Sequence, residues 1–468
     1  MPVADYEPVI GLEVHAQLLT RTKIFCGCAT DFGAAPNTQV CPVCLGLPGA
    51  LPALNRAAVE MAIRAGKAFG CAIAPRSVWA RKNYFYPDLP KGYQISQYEL
   101  PICLGGFVEV PGLRQVPLTR IHLEEDAGKS VHGAGGSEVD LNRAGVPLIE
   151  IVGEPALRSA EEASEYLKAL RLALLYLGVN DGNMEEGSFR CDANVSVRRR
   201  GATALGTRVE LKNINSFRFV RQAIDFEVAR QVAAIEGGEA IRQETRLFDH
   251  ERGETRAMRS KEAANDYRYF PDPDLPPLVV SRAWVDRVAV PLLPPQVMDA
   301  LLRDGVAAAD ARTVVADPRL AALHARIGGD AKRAAHFLVG ELSRAVNAGE
   351  ADLSALRFEP AQIAAVWALQ DAGTLSSTAA REVLAEVIRS GKAPAQIVAE
   401  KGLAQVSDAG ALEAVVDALL AKFPAEVEKH RSGKKDLLGF FTGAAMKELK
   451  GKGNPGALNA LFRKKLSS

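Results

Sequence analysis

Ser188-Phe-Arg190-Cys-Asp192-Ala-Asn194-Val-Ser196 alternates without a break: serine, arginine, aspartate, asparagine and serine fall on one side, and phenylalanine, cysteine, alanine and valine on the other. Successive side chains of an extended chain point to opposite faces, so this pattern predicts a strand with one apolar and one polar face. The same parity recurs in Pro8-Val-Ile-Gly-Leu-Glu13-Val-His15-Ala-Gln17, where Ile10, Leu12 and Val14 make the core side and Glu13, His15 and Gln17 share the other. Further strands are predicted over 146–152 and 207–211, and a helix over 160–177, where Ala163, Tyr166, Leu167, Leu170 and Leu174 recur at helical spacing. Few strands alternate with helices in a strict βαβ rhythm. The expectation is an α+β domain on an antiparallel or mixed sheet.

Working outward, Tyr269-Phe-Pro-Asp-Pro-Asp-Leu-Pro-Pro277 concentrates four prolines, and Pro294-Pro295 follows, which marks a boundary near residue 290. Beyond it the chain turns alanine-rich, with helical periodicity over 296–302, 331–347, 360–370 and 377–389. Helices continue past 406. The expected division is a sheet domain 1–292, an all-helical domain 293–405 and a small helical tail domain 406–468.

With 468 residues, about three domains fit the usual size of roughly 150 residues each. Hydrophobic residues at 48% and charged residues at 24% exclude disordered, collagen-like and coiled-coil classes. Lys+Arg 57 against Asp+Glu 56 excludes a wholly basic nucleic-acid wrapper, but not a local patch. Such a patch exists: residues 431–468 hold nine Lys/Arg and two Asp/Glu, a balance of +7. Interleaved Phe440, Phe441 and Phe462 leave two readings, a solvated face or contact with nucleic acid. No run approaches the roughly 18 apolar residues of a membrane span, and Met1 to Pro8 has no signal-peptide pattern. A soluble, cytoplasmic protein without membrane partners is expected.

Four of the seven cysteines form Cys26-x-Cys28, twelve residues, then Cys41-x-x-Cys44. That is knuckle-like spacing for a closed tetrahedral zinc site, with Pro42 and Gly46 supplying the turn; free or redox-active thiols are the alternative. Glu150 stands alone in Pro147-Leu-Ile-Glu150-Ile-Val152, and His122-Leu-Glu124-Glu125-Asp126 gathers three acids. A lone carboxylate in an apolar strand is costly to bury unless a cation neutralises it. With Glu210 and Lys212 on 209–215, these strands suggest a magnesium–nucleotide site, although each polar face taken singly could be a solvated one. Two nucleotide signatures fail. Ala127-Gly-Lys-Ser130 lacks the first glycine of a P-loop, because position 123 is leucine, and Gly451-Lys-Gly453-Asn-Pro-Gly456 has no preceding strand. There is no G-x-S-x-G elbow either. The aromatic stretch Arg81 to Tyr98, echoed loosely by Tyr267 to Pro276, reads as a substrate-lining loop.

Taken together, Gly11-Leu-Glu-Val-His-Ala-Gln-Leu18, the cysteine set, Lys82-Asn-Tyr-Phe-Tyr-Pro-Asp-Leu-Pro-Lys-Gly-Tyr-Gln-Ile-Ser-Gln97, His122-Leu-Glu-Glu-Asp-Ala-Gly-Lys129, Arg190-Cys-Asp-Ala-Asn-Val-Ser196, Glu210-Leu-Lys-Asn-Ile-Asn-Ser216, Asp266-Tyr-Arg-Tyr-Phe-Pro271 and Gly451-Lys-Gly-Asn-Pro455 resemble the B subunits of the aspartyl/glutamyl-tRNA amidotransferases. The resemblance runs the length of the chain. A similar archaeal protein carries an additional inserted domain for which this chain is too short.

The resemblance implies a cradle domain similar to the catalytic sheet of glutamine synthetase, which uses ATP and Mg2+ to phosphorylate the side-chain carboxylate of Asp or Glu misacylated onto tRNA(Asn) or tRNA(Gln). Ammonia from a partner glutaminase (amidase) then displaces phosphate, and a small third protein completes a heterotrimer. It implies magnesium ligands at Glu13, His15, Glu124, Glu125, Glu150 and Glu210, structural Zn2+ on the four cysteines, and tRNA contact through Lys447, Lys450, Lys452 and Asn454. Arg190, from its place on the polar face, is expected to stabilise charge on the transferred phosphate. A non-catalytic, zinc-stapled RNA-binding scaffold would explain the cysteines and the basic tail, but not His15 and the carboxylates spread over separate strands. A stand-alone carboxylate kinase would not need the tail.

Overall fold

The strand Tyr6–Gln17 is the axis of the sheet. Its core side, Ile10, Leu12, Val14 and Ala16, is sealed from solvent, as the alternation requires. It pairs antiparallel with Pro147–Gly153 on one edge and with Phe189–Arg199 on the other. The chain is described here by a computed structural model covering residues 5–113, 115–133, 135–258, 267–405, 409–432, 437–449 and 453–466.

The sheet extends on one side through Val116–Glu125, Tyr93–Ser96, Ala80–Asn83 and Phe270–Pro271, and on the other through Val209–Lys212, Glu244–Asp249 and Glu254–Ala257. Pairing is antiparallel except between Val209–Lys212 and Glu244–Asp249, so the sheet is mixed and the class α+β. The helices Arg56–Ala68, Ala160–Leu177 and Phe217–Glu236 cover its apolar side and share one core with it.

The helix expected over 160–177 occupies those residues. Ala163, Tyr166, Leu167, Leu170 and Leu174 are all fully buried. The Ser159 hydroxyl accepts from the amide of Glu162 at 3.1 Å, and the Glu162 carboxylate accepts from the amide of Arg158 at 2.7 Å. Side chains thus satisfy amides that a helix start leaves unpaired. Leucines buried this way each contribute about 2–5 kcal/mol when truncation to alanine is the measure.

The chain divides into two compact units, Met1–Gln296 and Val297–Ser468. The second is helical throughout its described residues. The stretch 331–347, expected as one helix, carries a π-turn at Leu338–Leu342 between Ala331–Phe337 and Ser343–Asn347. There the Ser343 hydroxyl donates to the carbonyl of Leu338 at 2.7 Å, five residues back. Residues near the C-terminus have a core of their own, in which Leu412, Val416, Leu419, Phe441, Leu458 and Phe462 meet. Phe441 and Phe462, interleaved with basic residues in the sequence, are buried in it, and Phe440 is the exposed one. Among the described residues no helix is long and apolar enough to cross a membrane.

Candidate functional site

The face of the sheet opposite the helices carries the polar residues. Strand register places four of them side by side: His122 faces Glu150, Glu150 faces His15, and His15 faces Arg190, each on a different strand. The next position along sets Glu13 against Asp192, and Asn194 lies against Glu210. Four segments distant in sequence thus build one row across the middle of the sheet.

At its centre, one oxygen of Glu150 lies 3.3 Å from His15 Nε2 and 3.6 Å from His122 Nε2. Glu124 lies 3.0 Å from His122 Nε2 and accepts from Ser96 Oγ at 2.6 Å and Gln94 Nε2 at 3.0 Å. One ligand atom each from His15, Glu124 and Glu150 falls within 4.8 Å of the others. Burial pushes both carboxyls up, and Glu150 adds to this at Glu124, yet His122, with His15 at Glu150, outweighs this and holds them below the usual carboxylate range. Burial lowers the His15 pKa, but the bond to Glu150 prevails and raises it. Two buried carboxylates and an imidazole, with no lysine or arginine in direct contact among the described residues, suit a divalent cation that keeps open positions for water or phosphate oxygens.

The other expected ligands divide around this centre. Glu13 accepts from Asn194 at 3.0 Å, and burial with Glu150, Glu210 and Asp192 nearby pushes its pKa up. Glu210 is engaged by Lys212 at 3.2 Å and by Thr245 at 2.7 Å. Lys212 also reaches Asp192, at 2.7 Å. Glu125 does not join the group. It follows Glu124 in the strand and therefore projects to the opposite side, where it pairs with Lys91 and accepts from the amide of Ile95 at 2.9 Å. Of the three consecutive acids, a single cluster in the sequence, strand alternation sends the middle one to the other face.

Asp126 is the anchor of Arg190. The guanidinium donates two bonds to it, at 2.9 and 3.0 Å, and a third to the carbonyl of Gly187 at 2.9 Å; Gln17 donates to Asp126 at 2.7 Å. Burial drives the Asp126 pKa up, but Arg190 and Arg143 drive it lower still. The sequence alone sets His122 and Asp126 beside the acids without giving either a role, though their even spacing from Glu124 is a signal for a shared face. A cavity of about 680 Å³ opens beside Arg190, with Gln17, Lys129, Arg143 and Asp192 in its wall and Phe32 at its side.

The four cysteines converge. Their sulfurs all lie within 4.8 Å of one another, compared with about 3.8 Å between sulfurs of a tetrahedral site with Zn–S bonds near 2.3 Å. The loop turns at Gly46, whose φ of +69° favours glycine. A hydrogen bond from Cys26, with the Cys41 amide at 3.1 Å and Lys23 nearby, pulls the Cys44 thiol down to about 4. The thiolate is the form that binds metal.

Of the expected tRNA contacts, Lys447 is exposed in the last turn of the helix Leu437–Glu448. Asn454 caps the helix Pro455–Leu466, its side-chain oxygen accepting from Gly456 and Ala457 at 2.9 and 3.2 Å. Lys450 and Lys452 lie outside the described residues.

Comparison with known proteins gives two family matches, the GatB/GatE catalytic domain over residues 8–286 and the GatB domain over 323–466. The chain is 62% identical to the B subunit of the aspartyl/glutamyl-tRNA(Asn/Gln) amidotransferase of Anaeromyxobacter sp. (strain Fw109-5), covering 100% of both chains. It is 57% identical to that of Myxococcus xanthus over 100% of both, and 55% identical to that of Geobacter sulfurreducens over 99% of both.

Proposed function

The chain belongs to the family of aspartyl/glutamyl-tRNA(Asn/Gln) amidotransferase B subunits, and from that premise we propose that it is the ATP-dependent transamidating component acting on misacylated Asp-tRNA(Asn), Glu-tRNA(Gln) or both. The side-chain carboxylate of the tRNA-bound amino acid is phosphorylated by ATP. Ammonia then displaces phosphate to give the amide. The observation that supports this reading most is the row His122–Glu150–His15–Arg190, which offers cation ligands and a fixed guanidinium on one sheet face.

In this reading His15, Glu124 and Glu150 would hold Mg2+, and Glu13 and Glu210, further along the same sheet face, would serve a second ion or its waters. When bound, the cation neutralises phosphate oxygens and the attacking carboxylate, two anions that would otherwise repel. Arg190, oriented by Asp126, faces the cavity where a transferred phosphate would gather charge. Glu125, turned away and paired with Lys91, is assigned no magnesium. Such a polar sheet face, backed on its other side by a helical layer, fits a cradle similar to that of glutamine synthetase. Cys26, Cys28, Cys41 and Cys44 would bind Zn2+ in a closed site, stapling the loop beside the cavity rather than reacting.

The protein is proposed to work in the cytoplasm as one member of a heterotrimer, with a glutaminase (amidase) and a small third protein as its partners. Its helical part is proposed to divide near residue 405, the final segment with its separate core carrying Lys447, Lys450, Lys452 and Asn454 to the tRNA. The test is reconstitution with both partner proteins and assay on each misacylated tRNA. Amide formation requiring ATP, Mg2+ and glutamine is expected on at least one. No amidation of either tRNA by a complex whose glutaminase is active would overturn the proposal.

A further inference from the structure

The aromatic rings of the stretch 81–98 and of its echo at 267–276 have no part in the chemistry above. They meet at one edge of the sheet, where Phe270–Pro271 pairs antiparallel with the strand Ala80–Asn83. The rings of Tyr98 and Tyr269 lie parallel, 8° apart with centroids at 4.2 Å. Tyr267 stands edge-on to Tyr269 at 6.0 Å and to Tyr84 at 5.9 Å. Two cations attend them: Arg120 lies 5.7 Å from the Tyr98 centroid, and Lys82 lies 4.9 Å from that of Tyr267. This is not core. Tyr98 is 47% exposed, and Phe85 and Tyr86 of the same stretch are more so.

Two hydrogen-bonded chains tie this edge to the candidate metal centre. Arg120 Nε donates to His122 Nδ1 at 3.4 Å. The Tyr84 hydroxyl donates to Gln94 Oε1 at 3.0 Å, and the Gln94 amide donates to Glu124 at 3.0 Å. An exposed aromatic stack flanked by cations therefore stands one residue away from the carboxylates.

We propose that Tyr98 and Tyr269, with Arg120 and Lys82, form a nucleobase platform that stacks an adenine ring and so aims the rest of that nucleotide at His15, Glu124 and Glu150. The argument is chemical complementarity. A base has two apolar faces for an aromatic ring to cover, and the phosphates beyond it favour neighbouring cations. A patch whose only task was packing would bury these rings and would not recruit Arg120 to the face of Tyr98 and Lys82 to that of the neighbouring Tyr267. The ligand class rests on the function proposed above, which brings two adenines to this face: that of ATP, and that of the 3′-terminal adenosine bearing the amino acid. In both, what reacts is attached to the ribose on the side away from the base.

The test uses the full-length chain assembled with its partner proteins and replaces Tyr98 or Tyr269 by Leu, which removes stacking, and by Phe, which keeps it. One arm titrates Mg2+-ATP; the other titrates tRNA with and without its terminal adenosine. Either Leu variant should weaken one arm by about tenfold or more, the Phe variants should stay within about twofold of wild type, and the arm that responds names the source of the adenine. In the tRNA arm the loss should vanish when the terminal adenosine is missing. Leu variants that keep the wild-type melting temperature and bind both ligands as wild type does overturn the platform. Should either Leu variant lower the melting temperature, Tyr98→Ser at the half-exposed position serves in its place under the same two outcomes. Failure of the underlying function is separate: it appears as a wild-type complex that amidates neither tRNA, an assay independent of both binding arms.

Discussion

The polar sheet face around His15 and the C-terminal helices of residues 409–466 both carry many charges, but they neutralise them differently. On the sheet, Glu150 is met by His15 and His122, Asp126 by Arg190 and Asp192 by Lys212, all within 4 Å. Near the C-terminus Lys465 is held by Glu413 and Asp417, whereas Lys447 is exposed and the last 38 residues retain +7. The first arrangement is preorganised, acts over a few ångströms and is partly shielded from water, where a charge counts for more. The second acts through a field that salt screens beyond about 8–10 Å. Chemistry suits the former and capture of a polyanion suits the latter.

Removing one charge from the sheet should have the largest effect. Glu150→Gln preserves shape but takes the negative charge from between His15 and His122, and ATP-dependent amidation should fall by about a hundredfold or more, the scale of losing a preorganised electrostatic contact. Mg2+ should raise the melting temperature of the wild type, because a ligand stabilises the state that binds it, and this gain should shrink in the variant. Amidation at the wild-type rate would remove Glu150 from the centre. Asp126→Asn should have a smaller effect. Arg190 keeps the Gly187 carbonyl and one side-chain oxygen as acceptors but loses its charged partner, so a loss of about 1–3 kcal/mol in unfolding free energy and a roughly tenfold slower reaction are expected, measured by denaturant titration and single-turnover kinetics.

The cysteine loop lies between the two regimes, since the closed site proposed for it would take its charge from a metal ion. Cys44→Ala should reduce bound zinc below about a tenth of an equivalent and open residues 26–44 to proteolysis, while the far-ultraviolet circular dichroism of the sheet and helices stays as in wild type. Wild-type protein purified without chelator under reducing conditions and containing no zinc would make the loop a thiol cluster only.

How much of this is legible in the sequence depends on the range of the interaction. Strand parity is set by neighbours in sequence, so the polar faces of 8–17 and 188–196 and the helix at 160–177 can be read directly. Pairing register is not local. Nothing in the sequence states that His15 lies opposite Glu150 and Arg190, and only the assembled sheet brings them together. Glu125 misleads for the converse reason: adjacency in sequence suggests a cluster, although alternation within one strand sends it away from Glu124. Asp126 escapes notice because its partner lies 64 residues on. Phe441 and Phe462 alternate with basic residues along the chain, yet their spacing serves a small core.

The smallest expected effect, and the one that bears most on the contrast between the two regions, is at Lys447. A cation that meets phosphate releases counterions on binding, so its removal lowers affinity modestly at every tRNA sequence and reduces the slope of log affinity against log salt by about one. Lys447→Gln removes the charge from an exposed helix end without touching the buried core of Leu412, Phe441 and Phe462, so folding gives no competing explanation. Affinity for tRNA measured between about 50 and 200 mM salt should therefore differ most at the low end and converge at the high end. Mg2+-ATP binding to the sheet face should be unchanged across the same range. A slope equal to that of the wild type would assign Lys447 to solvent, and a variant that bound ATP differently would mean the two regions do not act independently.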